Sequence, residues 1–177
     1  MPDFVLGLNA YHADSSAAIF VDGVLLAATE EERFRRIKHW AGFPSEAIKF
    51  CLNEAGCTLS EVNAITLGRD PQAKKLNKAA FVMKHPRVAS ALWSQRSANK
   101  DDITLLHERF REVEPNVDVE MVKAKIQFIE HHRSHLASAF YPSPFEEAAI
   151  LSIDGSGDFT TTMLGPVSYT HLRAHET

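Results

Sequence analysis

The chain has 177 residues, 45% of them hydrophobic and 24% charged, an ordinary globular composition that can supply one domain with a hydrophobic core. A formal net charge of −4 argues against general attraction to nucleic acid or an anionic membrane, and no apolar run approaches the length of a membrane span. Two cysteines, Cys51 and Cys57, are too few for a disulfide framework, and the first residues do not resemble a signal peptide. We therefore expect reduced cysteines and a cytoplasmic protein with neither nucleic acid nor a membrane as a partner.

The first part of the chain predicts strands around one well-bounded helix. "DFVLGLNA" reads as a central strand, and "SAAIFVDGVLLAATEEE" predicts a hairpin with Asp22-Gly23 as its turn, because a type I′ turn needs two positive φ angles. "SEAIKFCLNEAG" predicts a helix with Ser45 as its N-cap and Gly56 just past its end. The charged segment "EEERFRRIKHWAGFP" has no clean periodicity and is expected to be a loop, and "VNAITLG" predicts the next strand.

The remaining elements alternate between helices and strands. Residues 72–97 predict a helix interrupted near Pro86, and "DDITLLHERFREV" predicts another that begins at acidic residues. "KIQFIEH" predicts a strand, residues 133–141 a helix, "AAILSID" a buried strand and "FTTTML" the start of a further strand. The whole order predicts an α/β fold with a mixed sheet flanked by helices, and its antiparallel three-strand start is typical of a ribonuclease-H-like lobe.

The last residues do not follow this pattern. After Gly165 the chain reads "PVSYTHLRAHET", where the strand pattern stops and nothing caps it. This peptide resembles a translated sequencing-adapter read-through, so we expect residues 165–177 to be a foreign tail. The four-residue spacing of His171 and His175, which imitates a metal-binding pair, is therefore not counted as a candidate site.

A histidine cluster in "IEHHRSHLASAF" is the first candidate for chemistry. His131 and His135 are four residues apart, which on a helix places their side chains on one face, about 5–6 Å apart at Cβ. His132 and His135, three apart, are an alternative pair. Two ligands do not complete a metal site, and histidines at the polar start of a helix are an alternative interpretation.

The segment "SIDGSGD" supplies a third candidate ligand. Asp154 ends an apolar strand, at the edge of the sheet where α/β proteins bind ligands. Gly155 and Gly157 permit a tight turn whose N–H groups can approach a phosphate or a metal. An acidic hairpin turn would look the same. Together with two histidines, Asp154 gives an N,N,O ligand set on successive elements.

Two further segments offer contacts for anionic groups. In the loop after the first strand, His12 and Asp14 are followed by Ser15, whose hydroxyl and N–H can bind an anion. In "EEERFRRIKH", Arg36 and Lys38 lie among arginines suited to phosphate or carboxylate. A solvated surface is the alternative for both segments.

Three ordered stretches resemble the NodU/CmcH carbamoyltransferase family: "GLNAYHADSSAAIFVDGVLLAATEEERFRRIKHWAGFP", "EHHRSHLASAFYPSPF" and "ILSIDGSGD". The resemblance covers residues 4–164 and implies the first part of an actin/sugar-kinase-like (ASKHA) domain. It further implies that the second lobe and a YrdC-like domain are absent from these residues. Such enzymes make carbamoyl-adenylate from carbamoyl phosphate and ATP, and transfer the carbamoyl group to a hydroxyl of a small-molecule or sugar acceptor.

The resemblance also implies roles for individual residues. His131 and His135 match the family's HxxxH iron ligands, and Asp154 matches its next carboxylate ligand, while a further carboxylate ligand lies far downstream. His12 and Lys38 match active-site positions, with His12 a candidate general base for the acceptor hydroxyl. Zinc or manganese would suit the same ligands.

Two other functions stay open at this point. One is an ATP-binding kinase-like or tRNA threonylcarbamoyl-transferase-like protein of the same superfold, and the other is a non-catalytic metal-binding module. We expect the full-length parent to be an enzyme and the present chain to be inactive, with an exposed sheet edge and unburied apolar faces. The sequence does not indicate the acceptor or the oligomeric state.

Overall fold

The computed structural model describes residues 1–84, 105–158, 160–168, 171–172 and 175–176. These residues form two compact units, the first of residues 1–67 and 105–127 and the second of residues 68–84 and those from 128 onward. The interruption predicted near Pro86 and the acidic helix start predicted before residue 105 lie outside the described residues. Among the described helices, none combines the length and the apolar character that a membrane crossing requires.

A five-stranded mixed sheet forms the centre of the first unit, with the strand order β3-β2-β1-β4-β5. The strands are β1 (Phe4–Asn9), β2 (Ser16–Val21), β3 (Val24–Glu30), β4 (Ala64–Leu67) and β5 (Ile126–Phe128). β2 pairs antiparallel with both β1 and β3, whereas β4 runs parallel to β1. The predicted α/β class, and the antiparallel three-strand start of a ribonuclease-H-like lobe, are thus confirmed.

Short-range signals located the hairpin and the main helix correctly. Asp22 and Gly23 have φ angles of 52° and 80°, as a type I′ turn requires. The described helices are α1 (Glu32–Arg35), α2 (Ser45–Ala55), α3 (Lys75–Lys84), α4 (Leu106–Arg109, continued by a 3-10 turn at Phe110–Glu112), α5 (Val119–Lys125) and α6 (His131–Phe140). Gly56 ends α2 with a φ of 62°. The helical turn α1 and helix α5 were not predicted from the sequence.

The start of α2 differs from the prediction. Its N-cap is Pro44, and Ser45 is already helical, so the serine does not cap the helix. The fully buried Glu31 carboxylate takes that role from 14 residues upstream of Ser45 by accepting hydrogen bonds from the N–H groups of Glu46 (3.3 Å) and Ala47 (2.8 Å). Arg35 neutralises this carboxylate at 2.6 Å. A local sequence pattern cannot reveal a cap that comes from a distant residue.

The second unit contains a four-stranded sheet packed against α6. Its strands are β6 (Glu147–Gly157), β7 (Thr160–Ser168), β8 (His171–Leu172) and β9 (His175–Glu176). The predicted burial of β6 is wrong on one face, because Leu151 is 59% and Ile153 is 74% exposed while Ser152 between them is buried. The predicted end of strand structure at Gly165 is also wrong, since β7 continues through Ser168. The foreign origin of residues 165–177 stays a prediction.

Both cysteines are free thiols, as expected. Cys51 is buried on α2, and this burial raises the pKa of its thiol to about 11. Cys57 is half-buried, and burial raises the pKa of that thiol as well. Neither thiol is therefore activated as a nucleophile at neutral pH.

Candidate functional site

Two carboxylates fix the first turn of α6, the helix that carries the histidine cluster. Glu130 is its N-cap and accepts hydrogen bonds from the N–H groups of His132 (3.1 Å) and Arg133 (2.8 Å). Asp158 accepts from the N–H of His131 (2.9 Å) and also from the N–H of Asp70 (2.7 Å). The helix thus starts at His131, two residues earlier than predicted, and His131 and His135 lie one turn apart on it.

The side chains of His131, His135 and Asp154 converge within the second unit. The Nε2 atom of His131 lies 2.8 Å from Oδ2 of Asp154 and 3.0 Å from Nε2 of His135, and the third separation, from His135 Nε2 to Asp154 Oδ2, is 3.8 Å. Asp154 stands at the Gly-containing end of β6, and its other oxygen accepts a hydrogen bond from the N–H of Gly155 (2.6 Å). Together with β6 residues 151–153, His135 and Asp154 line an open depression of about 260 Å³.

Hydrogen bonds cannot satisfy both short contacts of the His131 Nε2 atom at once. If the Nε2–H of His131 points at Asp154, this nitrogen has no lone pair left for His135, 3.0 Å away. The hydrogen bond from His131 holds the pKa of Asp154 below its usual value. Desolvation, followed by the neighbouring His131, lowers the pKa of His135. The cluster therefore favours an ionised carboxylate and a neutral His135 imidazole, which are the forms that bind metal.

The three donor atoms fit a divalent metal. Ligand atoms about 2.1 Å from a metal are roughly 3.0 Å apart at octahedral angles and roughly 3.4 Å apart at tetrahedral angles. The observed separations of 2.8, 3.0 and 3.8 Å bracket these values. Two imidazoles and one carboxylate on one face of a coordination sphere suit iron(II), and they also suit zinc.

His132, the alternative partner of His135, has a structural position. It is fully buried, with its Nε2 3.1 Å from the carbonyl oxygen of Thr160 and its Nδ1 2.8 Å from the hydroxyl of Ser152. Because a carbonyl only accepts, Nε2 carries the proton, and in the neutral ring Nδ1 accepts from Ser152. His132 therefore joins α6 to β6 and β7, and both of its nitrogens are occupied.

The two glycines of the "SIDGSGD" segment differ in their surroundings. A Cβ atom added at Gly157 would lie 1.8 Å from Cδ2 of His131, so the imidazole occupies the space that a side chain would need. A Cβ atom added at Gly155 would meet nothing within 4 Å. Both residues were predicted to contact substrate or nucleotide through the backbone. That role stays a prediction, and the structure adds that Gly157 makes room for His131.

In the first unit, hydrogen bonds tie the loop after β1 to the loop after α1. Tyr11 N–H donates to the carbonyl of Gly42 (3.1 Å), and Ser15 N–H donates to the carbonyl of Trp40 (3.0 Å). The buried Ser15 hydroxyl lies 2.8 Å from the Gly42 carbonyl and 3.1 Å from the Gly42 N–H. These contacts occupy both the N–H and the hydroxyl of Ser15, the two groups from which an anion contact was predicted.

The loops bring predicted site residues onto neighbouring segments of the surface. His12 is exposed on the first loop, and Arg36 and Lys38 are exposed on the second. Arg36 ends α1 in a left-handed conformation with a φ of 58°. The structure thus leaves these three side chains accessible, as their predicted contacts with substrate require.

One feature of these loops was missed in the sequence analysis. His39 Nδ1 lies 2.8 Å from Oδ1 of Asp14, and Oε2 of Glu32 accepts a hydrogen bond from the His39 N–H (3.0 Å). The hydrogen bond and charge of Asp14 raise the pKa of His39. The position of His39 beside Lys38 was the available signal, but no spacing rule connects residues 14 and 39 before the loops are folded.

The chain resembles known proteins over nearly all of its length. The family described as carbamoyltransferase N-terminus matches residues 4–175. An uncharacterised protein of Synechocystis is 39% identical over 97% of the chain and 28% of its own length. The nodulation protein NolNO of Sinorhizobium fredii is 34% identical over 93% of the chain and 23% of its own length. The chain thus spans only about a quarter of these two relatives.

A structural neighbour was also found. YeaZ from Pseudomonas aeruginosa matches 99% of the chain and 64% of its own length, with 15% sequence identity and a TM-score of 0.46. At this similarity the neighbour adds nothing to the site.

Proposed function

Since the chain belongs to the family of carbamoyltransferase N-termini, we propose that it is the first part of an enzyme that transfers a carbamoyl group to a hydroxyl. The match over residues 4–175 carries this proposal, and the relatives that extend far beyond the length of the chain support it. The acceptor is a small molecule or a sugar. The donor is carbamoyl-adenylate, made from carbamoyl phosphate and ATP by a part of the protein outside this chain.

The second unit provides metal ligands in this proposal. His131, His135 and Asp154 hold iron or another divalent ion, and their converging donor atoms support this assignment. When bound, the ion supplies Lewis-acid stabilisation of negative charge on the phosphate of the adenylate. Asp158 and Glu130 keep His131 at the start of the helix, and Gly157 leaves room for its ring. Gly155 offers a backbone approach for the nucleotide, since the space beside it is open.

The loops of the first unit provide the contacts to the reacting groups. Lys38 and Arg36 are cations that stabilise phosphate or the negative charge that develops on the carbonyl oxygen. His12 is the candidate for removing the proton of the acceptor hydroxyl, which requires a neutral imidazole within hydrogen-bond reach. Ser15 acts by holding the two loops together, because its hydroxyl and N–H are occupied by the backbone. We also propose that the protein works in the cytoplasm with its cysteines reduced.

The decisive experiment compares the full-length protein with the 177-residue chain. Each is incubated with radiolabelled carbamoyl phosphate, ATP and a panel of hydroxyl-bearing acceptors, and labelled acceptor and AMP are measured. We expect acceptor-dependent label transfer and AMP release from the full-length protein and none from the chain. The His135→Ala variant of the full-length protein serves as the inactive control. Absence of label transfer with every acceptor, in a folded full-length protein, would contradict the proposal.

A further inference from the structure

One face of the sheet in the second unit is apolar and uncovered. Helix α6 packs against the opposite face, on which Ser152 and its cross-strand partner Met163 are buried. On the uncovered face, Leu151 and Ile153 of β6 are 59% and 74% exposed. Leu164 of β7, which pairs directly with Leu151, is 47% exposed. Because paired residues of antiparallel strands share a face, these three side chains form one apolar surface, which marks a contact with another part of a protein.

The same strand has a free edge. Among the described residues, β6 pairs with β7 alone, whereas β7 pairs with β6 on one side and with β8 and β9 on the other. A free edge leaves N–H and C=O groups unpaired, and proteins normally protect such edges with a charge, a proline or a covering segment. The stretch "AAILSI" of β6 contains neither a charge nor a proline. The edge is therefore suited to pairing with a further strand.

The sheet of the first unit shows what occupies the corresponding edge there. Strand β1 is followed by its antiparallel neighbours β2 and β3, helix α2 packs on the sheet, and β4 then runs parallel to β1 along its other edge. The second unit repeats the start of this order, because β6 is followed by antiparallel β7 and then by β8 and β9. The next steps would be a helix and a parallel strand, since parallel strands need a crossover that is usually helical.

The length of the relatives indicates the source of these elements. The described residues end within this sheet, at β9, and the chain spans only about a quarter of the Synechocystis and NolNO proteins. A second copy of the chain is a poorer occupant. Pairing of β6 with β6 of another copy would extend the sheet but leave Leu151 and Ile153 exposed on its face. A crossover helix with its strand covers the face and the edge together.

We propose that a helix and a strand from the downstream part of the parent protein, here called the docked segment, complete this sheet. The strand pairs with the free edge of β6, and the helix packs on Leu151, Ile153 and Leu164. The depression beside the candidate metal ligands is lined by His135, Asp154 and β6 residues 151–153, so the docked segment supplies a wall that this chain lacks. This inference rests on the proposal that the chain is the first part of a longer enzyme, but not on carbamoyl chemistry.

Thiol labelling tests whether the apolar face is covered in the parent protein. Ile153→Cys is introduced into the 177-residue chain and into the full-length protein, and the reaction of residue 153 with a small maleimide is followed by peptide mass spectrometry. We expect rapid labelling in the chain and labelling at least about 10-fold slower in the full-length protein. Val24→Cys is the matched control, because Val24 is 69% exposed on β3, an edge strand of the first unit, and should label rapidly in both proteins.

Each other outcome of this labelling has a defined meaning. Equal labelling rates of Ile153→Cys in the two proteins would overturn the proposal, as would equal protection of Ile153→Cys and Val24→Cys in the full-length protein. Labelling of the chain that slows as its concentration rises would place a second copy at this surface and also overturn the proposal. Because labelling needs no activity, a full-length protein that protects residue 153 but transfers no carbamoyl group would overturn the proposed function alone.

Amide hydrogen exchange tests the edge of β6 separately from its face. In the 177-residue chain, the N–H groups of β6 that point toward β7 should exchange slowly, whereas those that point away from β7 should exchange rapidly. In the full-length protein both classes should exchange slowly, because the second class donates to the added strand. Rapid exchange of the second class in the full-length protein would overturn the strand pairing, even with residue 153 protected from labelling.

Discussion

Replacement of Gly157 by alanine tests the proposed metal centre most directly, because the structure defines the clash in atomic terms. The new Cβ would lie 1.8 Å from Cδ2, 2.3 Å from Cγ and 2.6 Å from Nε2 of His131. These distances are far inside van der Waals contact, and the atoms affected belong to the ring rather than to the end of a flexible chain. His131 must therefore move, or the end of β6 must shift.

Either movement separates the three ligand atoms. The His131 Nε2 atom is the one that lies within 3.0 Å of both other ligands, so its displacement removes the central member of the set. Changes to groups that only orient metal ligands commonly cost about 10–100-fold in affinity, and displacement of a ligand itself should cost at least as much. We expect Gly157→Ala to weaken metal binding by at least about 10–100-fold.

The assay is titration of the 177-residue chain with iron(II) under anaerobic conditions, repeated with cobalt(II) as a spectroscopic substitute. Gly155→Ala is the matched control, since it adds the same methyl group two residues away, where nothing lies within 4 Å. The control should bind metal as the wild type does. Equal affinities of Gly157→Ala and Gly155→Ala would refute the assignment of His131 as a ligand in this geometry.

Further substitutions test the residues that position the proposed metal ligands and those that stabilise each unit. Asp158→Ala should lower metal affinity about 10–100-fold, whereas Asp158→Asn should stay close to the wild type, because asparagine also tolerates the left-handed backbone and its carbonyl can accept the same N–H bonds. In urea unfolding, His132→Ala should cost at least about 1–3 kcal/mol through its orphaned buried partners, while His135→Ala should lose metal affinity with little change in stability. Glu31→Gln should cost about 1–3 kcal/mol of unfolding free energy, and the half-exposed control Glu46→Gln less than about 0.5 kcal/mol; equal costs would contradict the capping role.

The histidine spacing predicted two candidate metal-binding pairs, 131/135 and 132/135, but it did not decide between them. The decision lies in the buried face of α6, on which His132 is followed at intervals of four by Leu136 and Phe140. His131 and His135 occupy the adjacent face. The same sequence contained this apolar stripe, so a check of which histidine continues it would have selected the pair that the structure brings together with Asp154.

Other parts of the site depend on contacts that no local pattern contains. Asp158 binds an N–H group 27 residues upstream, at His131, and another 88 residues upstream, at Asp70. The hydrogen bond between Asp14 and His39 joins residues 25 positions apart, both of which have left-handed backbone conformations. Sequence periodicity describes helices and strands, whereas these contacts arise only when loops are held against one another. This explains why the α/β class was predicted correctly while these contacts were not.

In the charged "EEERFRRIKH" segment, some side chains stabilise the fold, whereas others stay exposed and accessible to a substrate. It was predicted to be a loop, with a solvated surface as the alternative, yet the buried Glu31 caps the start of α2 and forms an ion pair with Arg35. Glu32 holds the backbone of His39. The charged side chains of this segment that stabilise the fold are therefore those that bind backbone N–H groups or one another, namely Glu31, Glu32 and Arg35. Lys38 remains exposed beside His39, as a residue that contacts substrate must be, so charge density alone could not separate the two classes.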